Sequence, residues 1–280
     1  MSFTGYTNMD LLEYAFLWKG VLSAVFVSSS TSLVGVFLLM RRLSLLGAGL
    51  SHAAFGGIAL AVVLNMDPTI FTLIYTVLAG VLLEFLIEKK GLPADTVISL
   101  FFSFGIALAI MVFGLTQNLG TNVYSYLFGS ILTVSNTEFY AVIIIFAITT
   151  LFVGFYYRSL MLISFNEEIA ALRGVSVKLL NYLLVMLASA NIILAIKAVG
   201  LILSASFIAI PPMSSLLVTT SFFSTLAISV ASSLLATVLG ISISLLFDIP
   251  PSSTIVMCMI AVFLLFSVWR FLITLRRRFL

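Results

Sequence analysis

Charge is what this chain most conspicuously lacks. Only 8% of its 280 residues are Asp, Glu, Lys or Arg, against about 25% in soluble globular proteins. A water-soluble fold of this length cannot cover its surface with so few polar groups. Disorder in water is excluded as well, because hydrophobic residues make up 62% of the chain and mean hydropathy is +1.29. A single cysteine, Cys258, rules out an internal disulfide and sits inside an apolar run. A single histidine, His52, rules out a His-Glu-x-x-His metalloprotease pair, and no aspartate lies in the middle of an apolar run as an aspartyl intramembrane protease would need. No polar stretch is long enough to form a soluble catalytic domain. The amino terminus lacks the basic start of a cleavable signal peptide, so the first apolar run is expected to be retained.

What is present is a succession of long apolar runs. A bilayer core about 30 Å thick requires about 20 helical residues to cross it. Cutting the chain at its charges and its Pro/Gly clusters predicts spans at 17–40, 43–64, 69–88, 95–116, 137–157, 177–197, 199–219, 222–246 and 252–274. The fold class is therefore an all-α polytopic membrane protein with about nine helices, forming a single membrane domain over 1–280. Eight remains the alternative, because only Gly200 and the Thr219-Thr220-Ser221 step interrupt the apolar pattern at two boundaries. A β-barrel is disfavoured, since segments such as 141–152 are apolar on every face and do not alternate. With nine alternating spans, Arg41, Arg42, Lys89, Lys90, Arg158, Arg173, Lys178 and Arg276 to Arg278 fall on one side, leaving only Lys19 and Lys197 on the other. The positive-inside rule then predicts an outside amino terminus and a cytoplasmic carboxyl terminus. The basic residues form short clusters beside apolar runs, which suits a bilayer edge and not a nucleic-acid surface.

Two polar features stand out. In the longest cytoplasmic connection, Asn166 is a good N-cap, Glu167 and Glu168 sit at the positive end of a helix dipole, Arg173 lies in the last turn and Gly174 is a stop. This predicts a helix of about two turns over 166–174, too short to span. Ile169 and Leu172 share one of its faces, which leaves two readings open: a partner docks there, or the helix lies flat among lipid headgroups. The second feature is His52, near the cytoplasmic start of the second span among Gly47, Gly49, Gly56 and Gly57. It is either a metal-contacting imidazole facing a polar path or a histidine packed between closely approaching helices. Glu138 and Asp248, near the outer face, read as solvated loop carboxylates in preference to groups that attract cations at the entrance.

These landmarks, taken in order, resemble a known family. The segment Arg41-Arg42-Leu43-Ser44 through Leu50-Ser51-His52-Ala53, Asp95-Thr96 at the start of a span, Tyr126-Leu127-Phe128-Gly129, the 166–174 helix, Val199-Gly200-Leu201 through Ile210-Pro211-Pro212, and Phe247-Asp248-Ile249-Pro250 are similar to segments of the membrane permease subunit of bacterial ABC importers for zinc, manganese or iron. The resemblance covers nearly the whole chain. It implies a non-catalytic permease in the bacterial cytoplasmic membrane that binds no cofactor itself. It further implies a homodimer enclosing the translocation path, two ATPase subunits carrying ATP and magnesium, and an extracytoplasmic metal-binding protein. The 166–174 helix would be the coupling helix, with Asn166, Glu167, Glu168, Ile169, Leu172, Arg173 and Gly174 facing or shaping the ATPase contact, and His52 would touch the metal in passage. One departure stands out: the family pattern has an aspartate four residues before the histidine, and here that position is Ala48. An ion-gradient-driven secondary transporter is the alternative, with Glu84 as its nearest candidate carrier.

Overall fold

The computed structural model describes residues 10–116 and 134–278; the Tyr126–Gly129 motif lies outside the described residues. Every regular element among them is a helix. In chain order these are α1 (Asp10–Met40), α2 (Leu46–Val63), α3 (Pro68–Lys90), α4 (Ala94–Thr116), α5 (Asn136–Phe165), the short α6 (Glu167–Leu172), α7 (Val177–Val199), α8 (Leu201–Val218), α9 (Phe222–Phe247) and α10 (Pro251–Arg278). Among the described residues, all but α6 are long and apolar enough to cross a bilayer, nine in total. Helices are what such sequences must form, because lipid offers no partner for a backbone N–H or C=O and a helix satisfies both internally.

The breaks have local causes. At Gly200 the backbone takes φ 98° and ψ 162°, which ends α7 and starts α8, so the nine-span count replaces the eight-span alternative. Asp67 accepts hydrogen bonds from Thr69 N and Ile70 N ahead of Pro68, fixing the start of α3. Ser135 and Glu138 form a capping box at the start of α5. The fifth span departs from expectation. It does not stop at Arg158 but runs 30 residues to Phe165, about 45 Å at 1.5 Å per residue. A lone arginine does not break a helix, and the chain turns only where Asn166 adopts an extended conformation and caps the next one.

Because the spans alternate, the ends of α1, α3, α5 and α8 meet the starts of α2, α4, α7 and α9 at one pole, hereafter the Arg41 end. The opposite pole carries Asp67, Glu138 and Lys197. Within the body α1, α2 and α7 are central, with 72% of an 18-residue apolar stretch of each buried, while the corresponding stretches of α5 and α10 are 17% buried and peripheral. Polar side chains stitch the central helices together. Ser51 bonds Ser204 at 2.9 Å between α2 and α8, Asn191 donates to Thr149 between α7 and α5, and Ser233 donates to the Ser28 carbonyl between α9 and α1. Pro211 and Pro212 lie inside α8. Pro212 has no N–H to offer the Ile208 carbonyl, and α1 closes on that oxygen at Gly35, where a Cβ would approach it to 2.5 Å.

Candidate functional site

At the Arg41 end the short helix α6 is capped at both termini. Asn166 Oδ1 accepts from Ile169 N at 3.0 Å. At the far end Gly174 N donates to the Ala171 carbonyl at 3.0 Å and Val175 N to the Ala170 carbonyl at 3.1 Å, with Gly174 at φ 78°. That is a Schellman stop, and Arg173 is its cap residue. Six residues are too few to be helical by propensity alone, so these caps and one packed face define the element. Ala170 is the packed face and is fully buried. Ile169 and Leu172 turn the other way, 46% and 88% exposed, beside an exposed Phe165. The predicted docking residues are thus brought onto one open apolar face.

Glu167 behaves differently from Glu168. Its Oε1 lies 3.3 Å from Arg41 Nε and accepts from Asn181 Nδ2 at 3.1 Å, while Glu168 stays exposed. Arg41 also pairs with Glu84 at 2.9 Å, and both side chains are over nine-tenths buried. Lys178 and Glu88 form a second, more exposed pair at 2.6 Å. Between α6, the end of α3 and the start of α7, a cavity of about 630 Å³ is lined by Glu84, Glu88, Glu167, Lys178 and Asn181. In the sequence Arg41 serves as a topological marker and as part of the family-like segment, and Glu84 as the candidate carrier of the gradient-driven alternative; neither is paired with the other. A partner 43 residues away is invisible to periodicity, although a Glu set inside the apolar run at the same end of its span as an Arg-Arg pair is a usable signal.

His52 lies on α2, at the close of its second turn. From Leu46 to Ala59 every residue of α2 is buried except Ala48 and His52. These two are one helical turn apart, so the helix presents a single open line to its surroundings. The imidazole packs against Phe102 of α4, the two rings tilted by 59° with centroids 4.1 Å apart. Helices α2 and α4 pack against each other more extensively than any other pair, because glycine faces backbone across the contact. A Cβ at Gly105 would strike the His52 carbonyl and Ala53 Cα, and one at Gly56 would reach the Gly105 carbonyl at 3.0 Å. Gly47, Gly49 and Gly57 likewise meet Ile208, Ile98 and Tyr75. The packing expectation for these glycines therefore holds, and His52 is at once packed and open along one edge. Among the described residues no three His, Cys, Asp or Glu side chains group closely enough to hold a metal ion.

At the opposite pole Glu138 corrects an expectation. It is no solvated loop carboxylate: its side chain is 15% exposed and accepts from Thr69 Oγ1 and Ser135 N while facing Lys197 at 3.5 Å. Lys19 donates to Asn136 Oδ1 at 2.7 Å, so both basic exceptions on this side have partners. Asp248 is exposed as expected and ends α9 in the left-handed conformation at φ 52°.

Known proteins place this arrangement. The manganese import system permease protein ScaB of Streptococcus parasanguinis is 30% identical over 257 residues, covering 92% of this chain and 91% of its own length. The high-affinity zinc uptake system membrane protein ZnuB of Buchnera aphidicola subsp. Baizongia pistaciae is 31% identical over 257 residues, covering 90% and 97%. Among solved structures, PsaBC from Streptococcus pneumoniae in complex with Fab superposes with a TM-score of 0.80 at 28% identity, over 91% of this chain and 92% of that one. The ABC 3 transport family matches residues 13–270, nearly the entire helical body described above. The chain belongs to the ABC 3 transport family and is a multi-pass membrane permease of an ABC transporter.

Proposed function

We propose that this permease is the membrane subunit of an ATP-driven importer of divalent metal ions, manganese or zinc, in the bacterial cytoplasmic membrane. Two copies form the translocation path. Two ATPase subunits, which carry the ATP and magnesium, dock on the α6 helices, and an extracytoplasmic protein delivers the metal. The Arg41 end is cytoplasmic, in keeping with the arginines and lysines collected there. The carboxyl terminus is then inside and the amino terminus outside.

The observation that carries this reading is α6 itself. A helix of six residues, capped at both ends, holds Ile169 and Leu172 out of the body at the basic pole. An apolar pair so exposed is a contact surface, and its short rigid mount suits a part that is pushed. The substrate class is supported by the relatives' names and by His52 on the open line of α2. A gradient-driven transporter is less well supported, since Glu84 is already held by Arg41 at 2.9 Å and is not free to carry a proton or cation.

Purification of the chain from its native membrane in mild detergent tests the reading. A P-loop ATPase is expected to copurify with the native chain and to be lost from the Ile169→Glu/Leu172→Glu variant, because two carboxylates cannot enter an apolar groove without stranding their charge. Absence of any ATPase from the native preparation would overturn it.

A further inference from the structure

The cluster beneath α6 shows how that helix is tied to the membrane body. Arg41, just past the end of α1, places Nη2 2.9 Å from Glu84 Oε1 on α3 and Nε 3.3 Å from Glu167 Oε1 on α6. Asn181 Nδ2 on α7 donates to the same Glu167 oxygen at 3.1 Å. One guanidinium therefore links the short helix to α1 and α3, and one amide links it to α7. Among the described residues, Arg41 Nη1, Glu84 Oε2 and Asn181 Oδ1 are buried without a hydrogen-bond partner. Two of these, a donor and an acceptor, belong to the Arg41–Glu84 pair itself. A guanidinium and a carboxylate satisfy each other fully when they form two parallel bonds, and here they form one.

The two contacts of Arg41 are unequal. The Glu84 side chain is 3% exposed, so leaving Arg41 would strand a buried charge. The Glu167 side chain is 51% exposed, and water takes over its carboxylate at little cost. The Glu167 contact is thus the one that can break. Once it does, Arg41 Nη1 and Glu84 Oε2, each without a partner in the same ion pair, are the donor and acceptor available to each other. The structure shows the latched arrangement; a released one would free Glu167 from both Arg41 and Asn181, and contacts that switch in this way turn a small displacement into a global one. A metal site is a poorer account of the same carboxylates, because the guanidinium already sits between Glu84 and Glu167 and no three ligands converge among the described residues.

We propose that Arg41 is a positioning residue for transport: it latches α6 to the membrane helices through Glu167 and exchanges that contact for a second bond to Glu84 when the ATPase moves α6. The proposal rests on the importer reading above. Arg41→Lys keeps the charge, yet one ammonium cannot span both carboxylates as the planar fork does. In liposomes holding the complete complex, with manganese(II) and zinc(II) tried in turn, Arg41→Lys is expected to retain the ATPase while metal moved per ATP hydrolysed falls at least about fivefold. Glu167→Gln should lower the same ratio, and the double variant should be no worse than the worse single one. An unchanged ratio in Arg41→Lys, or losses that multiply in the double variant, would overturn the latch.

A second measurement needs no ATPase. Spin labels at Leu45→Cys and Glu168→Cys, in a Cys258→Ser chain in lipid nanodiscs, report the placement of α6 directly. A distance distribution that broadens in Arg41→Lys and in Glu167→Gln supports the latch, and an unaltered one sinks it. If the native complex neither binds an ATPase nor moves metal, the importer reading fails, and the spin-label result still decides whether the latch exists.

Discussion

Glu138 Oε1 accepts a hydrogen bond from Thr69 at 3.1 Å and lies 3.5 Å from Lys197 Nζ, so one carboxylate ties the starts of α3 and α5 to the end of α7. Arg41 does the corresponding work at the other pole, where one guanidinium joins α1, α3 and α6. Each pole thus has a charged side chain that joins three helices, a carboxylate at one and a guanidinium at the other. The difference lies in saturation. Both Glu138 oxygens have partners, whereas the Arg41–Glu84 pair leaves one atom on each side unpaired. The Glu138 pole reads as fixed and the Arg41 pole as movable.

Glu138→Gln tests the fixed pole. Glutamine retains an acceptor for Thr69 but removes the charge that faces Lys197, a side chain only 14% exposed. The expected loss is about 1–3 kcal/mol, the range for a hydrogen-bonded contact to a mostly buried charged group. A thiol-reactive dye that reports exposure of Cys258 during heating in detergent would register it as a lower midpoint. Adding Lys197→Met should recover part of the loss, because removing both charges is less costly than removing one. A midpoint equal to that of the native chain would show that the pair is not a fastening.

The spans were legible in the sequence because apolar runs of bilayer length have only one stable form in lipid. The caps of α6 were legible for a related reason: Asn166 and Gly174 act on atoms close to themselves in the chain. What stayed hidden depends on which face of a helix meets another. Gly105 and Gly114 both lie in the apolar run of α4, yet a Cβ at Gly105 strikes the α2 backbone while one at Gly114 meets nothing within 4 Å. Arg41 and Arg42 are likewise adjacent, but the Arg41 side chain is 8% exposed and paired while Arg42 is exposed at φ 60°. Composition treats each pair as equivalent, and only the packing separates them.

Gly105→Ala should therefore be among the most damaging of the small substitutions. The added methyl meets backbone, which cannot rotate away, so α2 and α4 must separate at His52. Overpacking of this kind costs about 1–3 kcal/mol. Gly154→Ala on α5 is the control, since open space surrounds it. Yield and thermal midpoint in detergent are expected to fall for the first and to hold for the second. Equal behaviour of the two would mean that the close approach of α2 and α4 is not required.

The left-handed stop of α6 makes a separate prediction. Gly174 sits at φ 78°, and nothing lies within 4 Å of the place a Cβ would take, so conformation alone and not space opposes a side chain there. Gly174→Val should cost about 1–2 kcal/mol in backbone strain, while Gly174→Asn, which tolerates this region, should cost less. Loss of the Asn166 cap in Asn166→Ala is of similar size, about 1 kcal/mol. In a six-residue helix such a loss is felt as fraying. ATPase recovery on purification should therefore fall modestly for Gly174→Asn and further for Gly174→Val. The reverse order would remove the cap from the account of α6.

His52 carries the sharpest test of the substrate. It shares the partly open line of α2 with Ala48, and every other residue from Leu46 to Ala59 is buried, so the proposed ion route would meet α2 along this line. His52→Ala removes the imidazole without touching the glycine contacts behind it, so the fold and ATPase binding should persist. Uptake at limiting manganese(II) or zinc(II) should drop about tenfold, the equivalent of about 1.4 kcal/mol for one lost ligand contact. Ala48→Asp places a carboxylate one turn before the imidazole on the same line, and two adjacent ligands bind a divalent cation more tightly than one. That variant is expected to saturate at lower metal concentration. Because a path must also release its ion, its maximal rate should fall as well. Native uptake curves in both variants would place the route elsewhere and leave His52 as a packing residue against Phe102.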